Sequence, residues 1–254
     1  DFRLNALYAD ADGVILDPAC GSGVFLVEAY KRLVLHWRSR NDWKRPDVDV
    51  LRKLLLRVHG IDLEDGAVEL AAFSLCLSLC DALEPVEIRA SIKLFPRLAG
   101  ATLHHSCFFD AKQQMIVSAP VSIVIGNPPF ESVLTTEGAK RSAAAYAKEH
   151  EQLADNQLAY LFLHDAMAML VQNGILAMVE PAGFLYNQNA LDFRQSFLKR
   201  WRVRELLDFV SVRGMFKKGN ADPKIVVVVA EATKPDSDSR ILHAVFRRNG
   251  RATA

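Results

Sequence analysis

The sequence predicts an α/β fold, a doubly wound and mostly parallel seven-stranded sheet closed by an antiparallel hairpin. Three observations predict it. Short apolar runs alternate with helical stretches along the chain. The first two runs each end in an acid, Asp17 and Asp62, with a helical stretch soon after. The last two runs, residues 203–210 and 225–230, have no helical stretch between them, so they are expected to pair antiparallel at one edge of the sheet.

Taken in order, residues 13–17 form the first strand. A helix follows over about 23–38, with Phe25, Leu26, Ala29, Leu33 and Val34 on one face. Residues 39–49 are polar, contain Pro46 and read as a loop. A short helix is expected over 51–56, a second strand over 57–62 and a long apolar helix over 64–82. A weaker strand ends near Cys107 to Asp110. Residues 121–125 are wholly apolar, which suits the centre of a parallel sheet. They run into Asn127-Pro128-Pro129-Phe130, where the prolines stop strand and helix alike. The polar, Ala-rich stretch 131–155 reads as a mobile loop or a loop with a helix. Helix 157–171, strand 174–179 and helix 191–200 come next, and a long basic turn joins the two final strands. There is no internal repeat.

The whole chain sets bounds. Its 254 residues suffice for one large domain with a buried core. Half are hydrophobic and 24% charged, as in an ordinary globular enzyme. Lys and Arg number 31 and Asp and Glu 30, so nucleic acid is not held by bulk charge and any such contact must come from a local patch or a partner domain. No apolar run is long enough to span a bilayer and no basic-then-apolar leader opens the chain, so no membrane partner is expected. The chain opens on Asp1 close to its first strand and is read as a domain cut from a longer protein. Cys76 and Cys80 lie four apart without a CxxC pair, and His104-His105 point to opposite sides of a strand. No metal site is therefore expected, and the thiols read as reduced, in a cytoplasmic protein.

Ligands of such sheets bind beyond the carboxyl ends of the strands. There lies Asp17-Pro18-Ala19-Cys20-Gly21-Ser22-Gly23, whose glycines let the backbone turn sharply and approach a ligand. Position 26 is Leu, where a dinucleotide fingerprint needs a small residue, and no Gly-Lys-Ser/Thr is present, so neither pyrophosphate nor triphosphate is favoured. Asp62 can accept both hydroxyls of a ribose. Each acid alone is equally compatible with capping the helix after it; the pair in this topology favours a nucleoside-containing ligand.

These residues carry a family resemblance. Asp17-Pro18-Ala19-Cys20-Gly21-Ser22-Gly23-Val24-Phe25-Leu26 resembles the S-adenosylmethionine motif of the N6-adenine DNA methyltransferases, in the gamma order in which the cofactor motif precedes the catalytic one. Asn127-Pro128-Pro129-Phe130 matches that family's Asn/Asp-Pro-Pro-Tyr/Phe tetrapeptide. The resemblance implies a Rossmann-like methyltransferase catalytic domain over 1–254, bacterial or archaeal, from a restriction-modification system. Its target-recognition domain or specificity subunit would lie outside this chain. It implies that Asp17, Ala19, Gly21 and Gly23 line the methionine part of S-adenosylmethionine, that Asp62 binds its ribose and that Leu63 packs on its adenine. For the third cofactor motif, either Cys107 stands in the acid's place or Asp110 fills it in a shifted register, the latter being preferred. The family's segment upstream of the first strand, which closes over the cofactor, is missing or short.

The tetrapeptide explains itself chemically. The amino group of adenine is a poor nucleophile because its lone pair is delocalised into the ring. Acceptors aimed at its two N–H groups, the Asn127 side-chain carbonyl and the Pro128 backbone carbonyl held by Pro129, stabilise charge that grows as a methyl moves. No covalent enzyme intermediate is needed. A duplex base must be flipped out to reach such a site. The resemblance implies stacking on Phe130 and on Phe216, though Phe216 also suits a core position. Eight cations between 194 and 218 (Arg194, Lys199, Arg200, Arg202, Arg204, Arg213, Lys217 and Lys218) face two acids, Glu205 and Asp208. They suit DNA phosphates, with Arg213, Lys217 and Lys218 foremost, or equally a solvated helix face. Two other readings stand beside DNA adenine methylation: a methyltransferase for a protein glutamine amide or an rRNA base, and an inactive DNA-binding homologue.

Overall fold

A computed structural model describes residues 13–91, 97–150, 153–212 and 223–247. The chain forms two compact units, Asp1–Gly126 and Asn127–Ala254.

The first unit is built on four parallel strands in the order β3-β2-β1-β4. They are β1 (Val14–Asp17), β2 (Val58–Asp62), β3 (Leu103–His105) and β4 (Val121–Gly126). Parallel neighbours need crossovers, and helices α1 (Val24–Arg40), α2 (Val48–Leu55) and α3 (Asp65–Cys80) provide them. The short helices α4 (Pro85–Ser91) and α5 (Phe108–Gln113) flank β3. Leu26 and Leu33 of α1 and Leu75 and Leu79 of α3 are buried with Ile15, Leu16 and Ile61 of the strands, so the core lies between sheet and helices. Asp47 caps α2, its side chain accepting from Val50 N–H at 2.8 Å.

One expectation here needs correcting. Residues 107–110 are not the end of a strand. The third strand ends at His105, Cys107 is the N-cap of α5, and Asp110 lies in that helix's first turn. Phe108, Phe109 and Ala111 are the buried residues of α5, so an apolar pair that reads as strand is the inner face of a short helix.

The second unit opens with Asn127–Phe130 in irregular backbone. Helix α6 (Glu137–Glu149) follows, its N-cap Thr136 accepting from Ala139 N–H at 3.2 Å, so the stretch after the tetrapeptide is a loop with a helix. Then come α7 (Leu158–Met169), strand β5 (Leu170–Pro181), the one-turn α8 (Gly183–Tyr186), α9 (Leu191–Arg200), and strands β6 (Arg202–Asp208), β7 (Ile225–Glu231) and β8 (Leu242–Val245). The strand order is β5-β7-β6-β8. β7 runs antiparallel to both β5 and β6, and β8 lies parallel to β6.

The final hairpin is therefore present but is not an edge. Ile225–Glu231 is mostly buried, and its backbone pairs on both sides. β8 is an eighth strand that the sequence reading does not contain; its four residues are mostly exposed and show no apolar alternation. Among the described residues, no helix is long and apolar enough to cross a membrane.

Candidate functional site

In the first unit the predicted residues gather at the carboxyl ends of β1 and β2. The chain leaves β1 at Asp17 and turns through Gly21 (φ 51°) and Gly23 (φ 82°), both left-handed, into α1. Gly23 is the N-cap, and a Cβ there would lie 3.0 Å from the Ala71 Cβ and 3.1 Å from its Cα. The turn thus needs glycine twice over at position 23, for its φ and for the close approach of α3.

Backbone bonds hold the turn. Cys20 N–H donates to Ile61 O (3.0 Å), and Gly23 N–H donates to Cys20 O (2.8 Å). Asp62, at the tip of β2, accepts Gly21 N–H on Oδ2 at 2.7 Å and Glu64 N–H on Oδ1 at 2.9 Å. A carboxylate has about four lone-pair sites, so these two bonds leave Asp62 acceptor capacity for hydroxyls. The sequence pairs Asp62 with a ligand; the structure also makes it the clamp on the glycine turn.

Asp17 is 1% exposed. Its Oδ1 accepts Ala19 N–H at 3.1 Å, and Oδ2 has no partner among the described residues. Burial, with the negative charge of Asp62 adding to it against the Ala19 bond, pushes its carboxyl up to about 7. Cys20, beside it, is buried and its thiol is raised by burial and by the two acids, so it is no nucleophile.

Leu63 is 51% exposed just past Asp62, available to cover an apolar ring. Its carbonyl meets His105 Nε2 at 3.0 Å, a contact that nothing in the His104-His105 pair announces. Cys107 and Asp110 are half-buried at the start of α5. Gly126 closes the unit. A Cβ there would meet Asp17 Oδ1 and Pro18 Cδ at 3.2 Å, so the end of β4 lies hard against the turn that leaves β1.

In the second unit, Asn127 is exposed, Pro128 buried, Pro129 exposed and Phe130 half-buried. Just after them, Glu131 O accepts Leu158 N–H at 2.8 Å, fastening the segment to the start of α7. Phe216, Arg213, Lys217 and Lys218 lie outside the described residues. Of the other cations, Arg194 donates to Phe184 O at 2.7 Å, Arg204 pairs with Glu231 at 2.6 Å, and Arg200 lies over the Trp201 ring at 5.0 Å. Arg194 and Arg204 therefore hold the protein's own structure, which the charge count does not reveal.

Two features escape the sequence reading. Strand β5 runs on past residue 179, carrying Glu180 into full burial with neither carboxyl oxygen partnered among the described residues. Burial raises it well above the usual carboxylate range. At the tip of β6, Asp208 is 2% exposed and accepts the Tyr186 hydroxyl and Val210 N–H. An acid next to hydrophobic residues gives no sign in sequence of whether it ends a strand or continues inside it.

Residues 57–216 match the Eco57I restriction-modification methylase family. The chain is 22% identical over 239 residues to the Escherichia coli type II restriction enzyme and methyltransferase RM.Eco57I, covering 82% of this chain and 23% of that protein. It is 32% identical over 100 residues to a putative type II restriction enzyme and methyltransferase of Methanocaldococcus jannaschii, covering 37% of this chain and 8% of that one. It therefore spans a quarter or less of the length of these relatives. In fold it is similar to the DNA-bound ATP-dependent Type ISP restriction-modification enzyme LlaBIII, with a TM-score of 0.69 and 15% identity over 94% of this chain and 18% of that one.

Proposed function

Because the chain belongs to the Eco57I restriction-modification methylase family, we propose that it is the catalytic domain of a site-specific DNA methyltransferase. In this reading it moves a methyl group from S-adenosylmethionine to N6 of a flipped-out adenine, in the cytoplasm of a bacterium or archaeon, within a restriction-modification system. The observation that carries the reading is the junction at Gly126. A Cβ built on that residue would meet Asp17 Oδ1 and Pro18 Cδ at 3.2 Å, and Asn127 is the next residue in the chain. The tetrapeptide is therefore joined directly to the strand end that lies against the start of the turn leaving β1.

The residues of that turn suit the cofactor. Gly21 has open space where a side chain would stand, and Asp17 Oδ2 is a buried acceptor without a partner, fit for a cationic ligand. In this reading Asp17, Ala19, Gly21 and Gly23 hold the methionine part, Asp62 the ribose and Leu63 the adenine, with Asp110 or Cys107 beside it. S-adenosylmethionine, when bound, supplies an electrophilic methyl on a sulfonium. The work of the chain is to prepare the amine. The Asn127 carbonyl and the Pro128 backbone carbonyl each accept one N–H, which localises the nitrogen lone pair and stabilises its growing positive charge. Phe130 and Phe216 stack on the extruded base. Arg213, Lys217 and Lys218 contact phosphates, which position DNA without reading sequence. Sequence reading belongs to a target-recognition domain or specificity subunit outside these 254 residues.

Labelled methyl transfer tests the proposal. The protein, supplied with its recognition partner or full-length parent, should label DNA and not RNA or a glutamine-bearing protein, with label recovered as N6-methyladenine. Transfer to a protein amide or to RNA alone would overturn it.

A further inference from the structure

Away from the glycine turn, the second unit contains a small cavity of about 10 Å³ lined by Tyr146, His150, His164, Phe193, Ser196 and Arg200, among others. That is room for one water-sized body, too little for an organic ligand. Three helices meet there. His150 follows the C-terminal end of α6, His164 lies inside α7, and Phe193, Ser196 and Arg200 come from α9. The Nε2 atoms of both histidines are buried, and neither has a hydrogen-bond partner among the described residues. Two buried, unpaired ring nitrogens on residues that line one cavity are costly unless something meets them.

The chemistry of the pair is directional. Asp165, 4% exposed, accepts the Ser142 hydroxyl at 2.5 Å on one oxygen and faces His164 Nδ1 at 3.2 Å with the other. In the tautomer whose Nδ1–H donates to that carboxylate, the lone pair of His164 lies on Nε2. A carboxylate behind an imidazole in this way is the usual support of a metal-ligating histidine. Burial first, then His164 and Arg200, push the His150 imidazole below its ordinary value. The Arg200 guanidinium lies over the Trp201 ring, and Glu149 adds the opposite charge at the helix end. The two imidazole centroids are 5.8 Å apart at an interplanar angle of 78°. Imidazoles that share one ion through nitrogen at ~2.0–2.1 Å have ring centres roughly 5–6 Å apart.

We propose that His150 and His164 hold one borderline divalent cation of the zinc, nickel and copper class, which ties the helix following the catalytic tetrapeptide to α7 and α9. Among the described residues no third histidine, cysteine or acid joins the pair in a metal-binding group. The Ser196 hydroxyl and solvent would complete the coordination, and the site is a moderate-affinity one.

The test uses the purified chain after dialysis against a chelator. Titration with Zn²⁺ by calorimetry, and with Co²⁺ by its visible absorption, should show one equivalent per chain at micromolar affinity. His150→Gln and His164→Gln should each weaken that affinity at least tenfold, and the rise in Tm that Zn²⁺ gives the parent should vanish in both. His150 lies just past a helix end, so His150→Gln tests the site even if His164→Gln folds poorly. A crystal soaked in Zn²⁺ should show an anomalous peak between the two rings. No saturable binding, binding unchanged in the variants, or an ordered water at that point in the zinc-soaked crystal would overturn the proposal.

Discussion

Asp17 and Glu180 invite comparison. Each is a carboxyl group at or near the carboxyl end of a strand, one in each unit, and each is almost wholly buried. Burial raises both above the ordinary range. Their settings differ. Asp17 stands in a turn of left-handed glycines, takes one backbone bond from Ala19 and keeps one free acceptor. Glu180 takes no bond on either oxygen from the described residues, and it lies within the ladder of β5, opposite Val226 of β7. The same physical oddity, a desolvated acid, thus occurs once with a turn built around it and once inside regular structure. An unusual carboxyl points to a binding role only when the backbone around it is shaped for a ligand.

The largest effect should come from neither acid but from Asn127. Asn127→Ala should lower labelled methyl transfer by roughly 10²–10³-fold, the usual cost of losing one transition-state hydrogen bond. Cofactor affinity by calorimetry should stay within a few-fold. A matching loss of cofactor affinity would mean that the tetrapeptide serves the cofactor, not the amine.

Asp17→Asn sharpens the comparison directly. It should weaken S-adenosylmethionine binding at least tenfold and yet stabilise the ligand-free protein at pH 8. The sign follows from linkage. A carboxyl raised from 3.8 to about 7 contributes stability below pH ~4, and that contribution is lost as pH rises through about 7. Removing the charge should restore on the order of 1–3 kcal/mol at pH 8, read from urea unfolding, and almost nothing at pH 4. Glu180→Gln should act the same way on stability, its Tm advantage over the parent growing as pH rises, while cofactor affinity is unchanged. Equal losses of cofactor binding in the two variants would break the contrast.

Gly23→Ala probes the turn. A left-handed φ and a 3.0 Å approach to Ala71 should together cost about 1–3 kcal/mol in urea unfolding. Smallest of all, Thr136→Ala removes the α6 cap, at about 1 kcal/mol.

What the sequence determined by itself is local. Alternating apolar runs and helical stretches specify the strand–helix order through the first two strands, because each pattern reflects the backbone period on which it sits. Asp17 to Gly23 and Asn127 to Phe130 are legible because glycine opens φ to the left-handed region and proline fixes it wherever they occur. Only the tertiary structure decided the rest. Gly21 N–H meets a carboxylate 41 positions along the chain. Glu180 is buried because its strand runs on beside β7, and His150 and His164 meet because three helices converge on them. β8 exists because β6 has a free edge, not because its own four residues favour a strand. Hydrogen bonds and burial between distant segments depend on which surfaces pack together, and no window along the chain contains both partners.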